Sequence, residues 1–250
     1  MLFRSASSSN SASRAVADSR SARSDSANTE AETSRAEIVA AFGAAHPLTA
    51  LPLSVLAEAA CARGEFERCL ELSEQAAAVR VTARTAADHP TFIPKHLAAA
   101  IALRGLGRTA EAEARFDEAE AIARKAGDAW LGRVLAERGG LERAAEAVRL
   151  LTQQEGAEHP DTRRARRAFA QALLDAGRSA EAERAFAELA SSGEPKSPLR
   201  GAVLLGQARA LMAQGRAGEA EPLLRLAVMV AGDEDPQVTA ARDLLRTGKP

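Results

Sequence analysis

Five glycines, Gly64, Gly107, Gly139, Gly177 and Gly215, each open a charged, alanine-containing run, and they stand 43, 32, 38 and 38 residues apart. A second marker is locked to the first. The pairs His46-Pro47, His89-Pro90, His159-Pro160 and Ser197-Pro198 each begin 18 residues before one of these glycines. Proline suits the first turn of a helix, where its missing N–H has no partner to lose. Glycine ends a helix at little conformational cost. Each unit therefore predicts a helix of about four turns, a glycine turn, and a second helix. Self-similarity at this period is the signature of stacked helical hairpins, which bury their apolar faces only against neighbouring copies. The third unit lacks the proline and has the shortest step, so it is the least regular.

The apolar positions follow the same clock. Five residues after each glycine stands Cys69, Ala112, Ala144, Ala182 or Ala220; nine after, Ser73, Phe116, Val148, Phe186 or Leu224; twelve after, Ala76, Ala119, Leu151, Leu189 or Ala227. Offsets of four and three place these on one helical stripe. Eight residues before the glycine stands Leu56, Ala99, Leu131, Phe169 or Gln207, and four before stands Ala60, Leu103, Leu135, Leu173 or Leu211. Only Gln207 and Ser73 depart from these stripes.

That arrangement, with the small residue, large residue and alanine on the second helix and leucine on the first, resembles the tetratricopeptide repeat. The run HPDTRRARRAFAQALLDAGRSAEAERAF, beginning at His159, resembles the kinesin-light-chain-like subclass, whose units read HPxT, then LA, then GR followed by EAE. The resemblance covers about residues 46–246 and implies an all-α, right-handed α-solenoid of about five helical hairpins with a C-terminal capping helix. The hairpins are expected at 46–82, 89–126, 127–156, 159–192 and 197–232. The cap is expected at 235–246, where Asp235-Pro236 opens a helix with Val238, Ala241, Leu244 and Leu245 on one face. Upstream, Ile38, Val39 and Phe42 suggest a short helix covering the other end.

Residues 36–250 are thus expected to form the repeat domain and residues 1–35 a disordered tail. The tail is rich in Ser, Ala and Arg and holds too little apolar surface to offset its ordering entropy. With four Arg and one acid in its first 24 residues, it also admits an organelle transit peptide. No apolar stretch approaches the ~18 residues of a membrane span. Ala, Arg and Gly bias points to a GC-rich bacterial genome, with the cytoplasm as the default location. The cysteines, Cys61 and Cys69, form neither a disulfide framework nor a metal set and are expected as two buried thiols in a reducing compartment.

Composition narrows the function. Lys+Arg of 33 against Asp+Glu of 34 gives a net charge of -1, so no overall field favours nucleic acid. Aromatics make up 3 % of the chain against 46 % for all apolar residues, so alanine must supply much of the core. No phosphate loop, dinucleotide fingerprint or metalloprotease motif occurs. His46, His89 and His159 share one repeat position beside proline and read as turn residues; their spacing along a stacked array is too wide for one metal. In GRxxEAE the carboxylates have arginines three and four residues away, the spacing of surface ion pairs. A non-catalytic chain with no cofactor and no metal is expected.

In proteins of the resembled family the first helices line a concave face. Carried over, positions ten, six and three before each glycine supply Glu58, Leu97, Ile101, Arg104, Arg133, Arg167, Gln171 and Arg209, with Arg164 close by. This face is expected to hold a protein or peptide segment, possibly acidic, since arginine pairs bidentately with carboxylate or phosphate. The same arginines also read as ordinary solubilising residues. Lys and Asn, which the family's carboxylate clamps use, are replaced in the first unit by Ser54 and Glu58, which argues against such a clamp. Arg163, Arg164, Arg166 and Arg167 have no interleaved aromatics for base stacking, which argues against RNA. An adaptor or scaffold is the leading expectation. A regulatory piece of a larger bacterial signalling system is the alternative, and self-association through the array ends is left open.

Overall fold

A computed structural model describes residues 28–79, 88–127, 130–192, 199–230 and 236–247. Among these the regular elements are helices, with no strand. Helix α1 covers 28–42, so residues 28–35, assigned above to the tail, are helical; the rest of the tail lies outside the described residues. Then follow α2 (Ala50–Ala62), α3 (Phe66–Ala78), α4 (Ile93–Gly105), α5 (Thr109–Ala126) and α6 (Trp130–Arg138). The chain continues as α7 (Leu141–Glu155), α8 (Pro160–Asp175), α9 (Ser179–Ser192), α10 (Arg200–Ala213), α11 (Ala217–Val230) and α12 (Pro236–Thr247). Two compact units divide between Arg138 and Gly139. The first holds hairpins α2–α3 and α4–α5 and then α6. The second holds α7, hairpins α8–α9 and α10–α11, and the closing helix α12.

The helix starts are built by the His-Pro pairs. Nδ1 of His46, His89 and His159 accepts the backbone N–H two residues on, from Leu48, Thr91 and Asp161, at 3.3 Å each. The imidazole thereby satisfies one donor that a helix leaves open at its N-terminus, while proline fills the next position. At the other end, Gly107 and Gly177 take φ of 75° and 74°, a left-handed conformation that a side chain disfavours. The next N–H then reaches back to close the helix, from Arg108 to Leu103 and from Arg178 to Leu173.

From α2 to α6 and from α7 to α12 every helix packs on the next in sequence, and consecutive first helices also meet: α2 with α4, α4 with α6, α8 with α10, and α10 with α12. The stripes read from the sequence are the core. In the first unit Leu53, Leu56, Ala60, Leu72 and Ala76 pack together, as do Ile93, Phe116, Ala119, Ile122 and Val134. In the second, Leu173, Ala182, Phe186, Leu189 and Val203 form one cluster, and Leu211, Leu224, Ala241 and Leu244 another. Ser73, the exception on the second-helix stripe, is buried with its hydroxyl donating to Cys69 O at 2.7 Å.

One expectation is corrected. Cys61 and Cys69 are joined by a disulfide, with Cα atoms 5.2 Å apart, not held as separate thiols. The Gly64 turn folds α3 back along α2, so positions three before and five after the glycine face each other where the two helices cross. Alanine fills the second of these positions in the other repeats.

Successive hairpins approach more closely than ordinary side chains permit. A Cβ on Gly105 would stand 2.5 Å from ring carbons of Phe66, and one on Gly206 2.4 Å from a ring carbon of Phe186, well inside van der Waals contact. Gly206 sits within α10, where alanine would gain about 1 kcal/mol of helix propensity. Overpacking against the buried Phe186 costs about 1–3 kcal/mol, so Gly206→Ala is expected to lower the melting temperature. In a Phe186→Leu background, where the ring is gone, the same alanine is expected to be neutral or stabilising. An equal loss in both backgrounds, read by thermal denaturation, would contradict this packing.

Candidate functional site

Three of the second helices, α5, α9 and α11, carry their own charge balance at the turn. Arginine one residue after the turn glycine and glutamate three residues later form a two-pronged pair: Arg108 with Glu111, Arg178 with Glu181, and Arg216 with Glu219, each at 2.6 Å. The guanidinium donates through Nε and Nη2 to the two carboxylate oxygens. Those hydrogen bonds hold all three glutamates below the usual carboxylate range. The carboxylate also stands in the first turn of its helix, where the peptide dipoles favour negative charge. This explains the GRxxE spacing without catalysis.

In the first unit the predicted face is largely engaged. Leu97 is buried with Phe116, and Ile101 packs against the same cluster. Arg104 donates to the Glu137 carbonyl at 2.5 Å and lies 5.3 Å from the Phe116 ring centre. Arg133 stacks over Trp130 at 4.7 Å. Glu58 is exposed on α2. Arg138, at the end of α6, was not singled out in the sequence. It is anchored by three α5 carboxylates, Glu113, Asp117 and Glu120, at 2.8–2.9 Å. Burial works to lower its pKa, and the hydrogen bonds to these carboxylates outweigh it and raise the value. The i, i+4, i+7 spacing of the three acids was the available signal.

The second unit is different. Arg164 pairs with Asp161 at 2.7 Å, Arg163 donates to the carbonyls of Leu189 and Ser192 at the end of α9, and Gln171 donates to Asp175 at 2.8 Å. Arg167 on α8 and Arg209 on α10 are half-buried. The Nε of Arg167 is buried without a hydrogen-bond partner, and Arg209 makes no hydrogen bond or ion pair among the described residues. Leu174 lies half-buried against the α8–α9 cluster, and Leu205 and Met212 are buried in the α10–α12 cluster. The face thus presents guanidinium groups on an apolar base. Among the described residues no group of three His, Cys, Asp or Glu could hold a metal ion. No described helix is long and apolar enough to cross a membrane.

No protein-family model matches the chain, and no curated protein matches it. Solved structures do. The nearly identical TPR-like repeats of a kinesin-light-chain protein from Podosopora anserina superpose with a TM-score of 0.53 at 22 % identity, over 74 % of this chain and 96 % of that one. BtubC (BKLC) from P. vanneervenii gives a TM-score of 0.55 at 13 % identity, over 91 % of this chain and 94 % of that one. At these identities the likeness is one of fold.

Lys95 stands apart from this pattern. It lies twelve residues before its glycine, on the core stripe where the other first helices carry Pro52, Ala165 and Val203. Only 5 % exposed, it has no carboxylate partner among the described residues; its ammonium lies 4.7 Å over the Phe92 ring. Burial lowers its pKa from 10.5. The unfolded chain then binds the extra proton between the lowered folded value and 10.5, so this group's penalty is full at neutral pH and is relieved as pH rises through that window. Lys95→Met is expected to stabilise by no more than about 1 kcal/mol at pH 7, because the stem is buried while the ammonium tip keeps part of its solvation. Urea melts from pH 7 to 10 should show the advantage shrinking; an advantage independent of pH would contradict an unpaired buried ammonium.

Proposed function

We propose that this TPR-like repeat fold is a non-catalytic interaction module, and that the first-helix face of residues 139–247 holds an acidic segment of a partner protein. The contrast between its two kinds of arginine supports the reading. On the second helices Arg178, Arg216 and Arg225 are each neutralised by a glutamate three or four residues away. On the first helices Arg167 and Arg209 keep donors unused at half-buried positions. An unpaired donor in a partly desolvated site is an incomplete arrangement that a carboxylate or phosphate completes. Leu174, half-buried seven residues after Arg167 on α8 and so on the same helical stripe, gives a bound segment an apolar contact that a free anion would not use. Rigid helices hold the donors in place beforehand, which lowers the ordering cost of binding.

The regular, self-paired GRxxE carboxylates, each already neutralised by its own arginine, support a non-enzymatic role. The cytoplasmic assignment remains part of the proposal, and the Cys61–Cys69 disulfide is the observation that weighs against it.

Fluorescence anisotropy with a labelled, Glu-rich peptide containing one leucine tests the site in the full chain. Arg167→Glu with Arg209→Glu is expected to weaken binding at least tenfold. The control Arg178→Glu with Arg216→Glu makes the same charge change on the second helices and is expected to alter it less than about threefold, the scale of screened surface charge. Equal weakening by both pairs would mean that overall charge, not this face, attracts the peptide.

A further inference from the structure

The Cys61–Cys69 disulfide joins α2 to α3 across a sequence separation of 8 residues. Where Cys61 stands, three before the turn glycine, the other repeats carry Arg104, Ala136, Leu174 and Met212. In place of Cys69 they carry Ala112, Ala144, Ala182 and Ala220, all buried. A hairpin of this kind therefore closes without sulfur at either position, and the bond adds something that the repeat geometry does not require.

Helix α4 lies over the bond. The carbonyl oxygen of Ala98 is 3.5 Å from Cys61 Sγ and 3.6 Å from Cys69 Sγ. Cys69 is 0 % exposed and Cys61 half-buried, in one cluster with Leu56, Leu72, Ala98 and Ala102. A reductant's thiolate must reach one sulfur and expel the other as a thiolate. Burial closes the approach to Cys69. Attack on Cys61 would expel the Cys69 thiolate into an apolar core beside a carbonyl oxygen. Such surroundings disfavour the anion and make it a poor leaving group. Exchange must then wait for α4 to part from the hairpin. Once the bond is broken, the Ala98 oxygen is in reach of either thiol as an acceptor, so the reduced pair can repack in place.

We propose that Cys61 and Cys69 form a reversible redox latch on the first hairpin, worked by a dithiol reductant only while α4 is transiently parted from α2 and α3. One thiolate of the dithiol attacks Cys61 Sγ, forming a mixed disulfide and releasing Cys69 as a thiolate that takes a proton from solvent. The second thiol loses its proton and attacks the reductant's own sulfur in that mixed disulfide. Cys61 leaves as a thiolate, is protonated in turn, and the reductant departs as a cyclic disulfide. Two electrons pass from the dithiol to the cysteine pair, and a disulfide oxidant reverses the exchange. Oxidised, the bond bars α2 and α3 from separating at their crossing. Reduced, they separate as readily as a hairpin without it, so the redox state sets how often the first hairpin opens. The Arg167 and Arg209 face belongs to the other unit and is left as it is.

Reduction of the full chain by dithiothreitol is followed by alkylation and mass spectrometry, in urea too dilute to change the circular dichroism. Opening exposes surface, so the rate is expected to rise at least tenfold across this range. A rate independent of urea would mean direct attack on the closed hairpin and would overturn the gate. Hydrogen exchange in Ala50–Ala62 and Phe66–Ala78 is expected to be roughly tenfold faster in the reduced chain, with Pro160–Asp175 and Arg200–Ala213 unchanged. Cys61→Ala with Cys69→Ala gives the first repeat the residues that the third carries, Ala136 and Ala144. This variant is expected to exchange like the reduced chain and to ignore the dithiol. Equal exchange of α2 and α3 in both redox forms would overturn the latch, as would a change spread over both units. Failure of oxidised dithiothreitol to restore the bond would overturn its reversibility.

Discussion

A first helix can lie against the hairpin before it only where its own side chains are missing or small. That close approach decides much else in this chain. Gly105 against Phe66 and Gly206 against Phe186 set how near one unit comes to the next, in each case with a phenylalanine on one side and no Cβ on the other. Alanines at the helix crossings, such as Ala112 and Ala182, are fully buried although each removes little area from water. The aromatic-poor composition is therefore consistent with dense packing. The few large rings are concentrated at the joints, and alanine fills the rest.

Charge follows the same division between helices. Second helices α5, α9 and α11 each bind a glutamate to the arginine just before the helix, near the turn, and such a pair needs nothing from the rest of the fold. First helices lack this recurring pair, although Arg164 meets a carboxylate on its own helix, Asp161. In the first unit α6 supplies Glu137 to Arg104 of α4, and Arg133 lies over the Trp130 ring of its own helix. In the second unit Arg167 and Arg209 are left with unused donors. The candidate surface is thus defined less by where arginine occurs than by where nothing answers it.

Sequence pattern carried the hairpins α2–α3, α4–α5, α8–α9 and α10–α11, most positions of the stripes and the turn role of the three histidines, because all depend on spacing along one chain. Even there the mechanism was hidden: the Nδ1 that accepts the N–H of Leu48, Thr91 or Asp161 is a matter of ring orientation. Features that join separate helices were not legible. The disulfide needed α2 and α3 to be folded back on each other. The Arg138 cluster needed α6 to lie on α5. Leu97 occupies a position counted as part of the open face, yet its side chain packs on Phe116. Lys95 was legible in principle, since it interrupts the core stripe twelve residues before the glycine, but only three repeats supply an apolar residue to compare with it.

The central claim is that the face of α8 and α10, with its unanswered arginines, receives an acidic segment. Hydrogen–deuterium exchange on the full chain, with and without a saturating Glu-rich peptide, tests it most directly because it reports location rather than affinity. Slower exchange in Pro160–Asp175 and Arg200–Ala213, with Ser179–Ser192 and Ala217–Val230 unchanged, is the predicted result. Protection confined to α9 and α11 would place the contact on the self-paired helices and contradict the account.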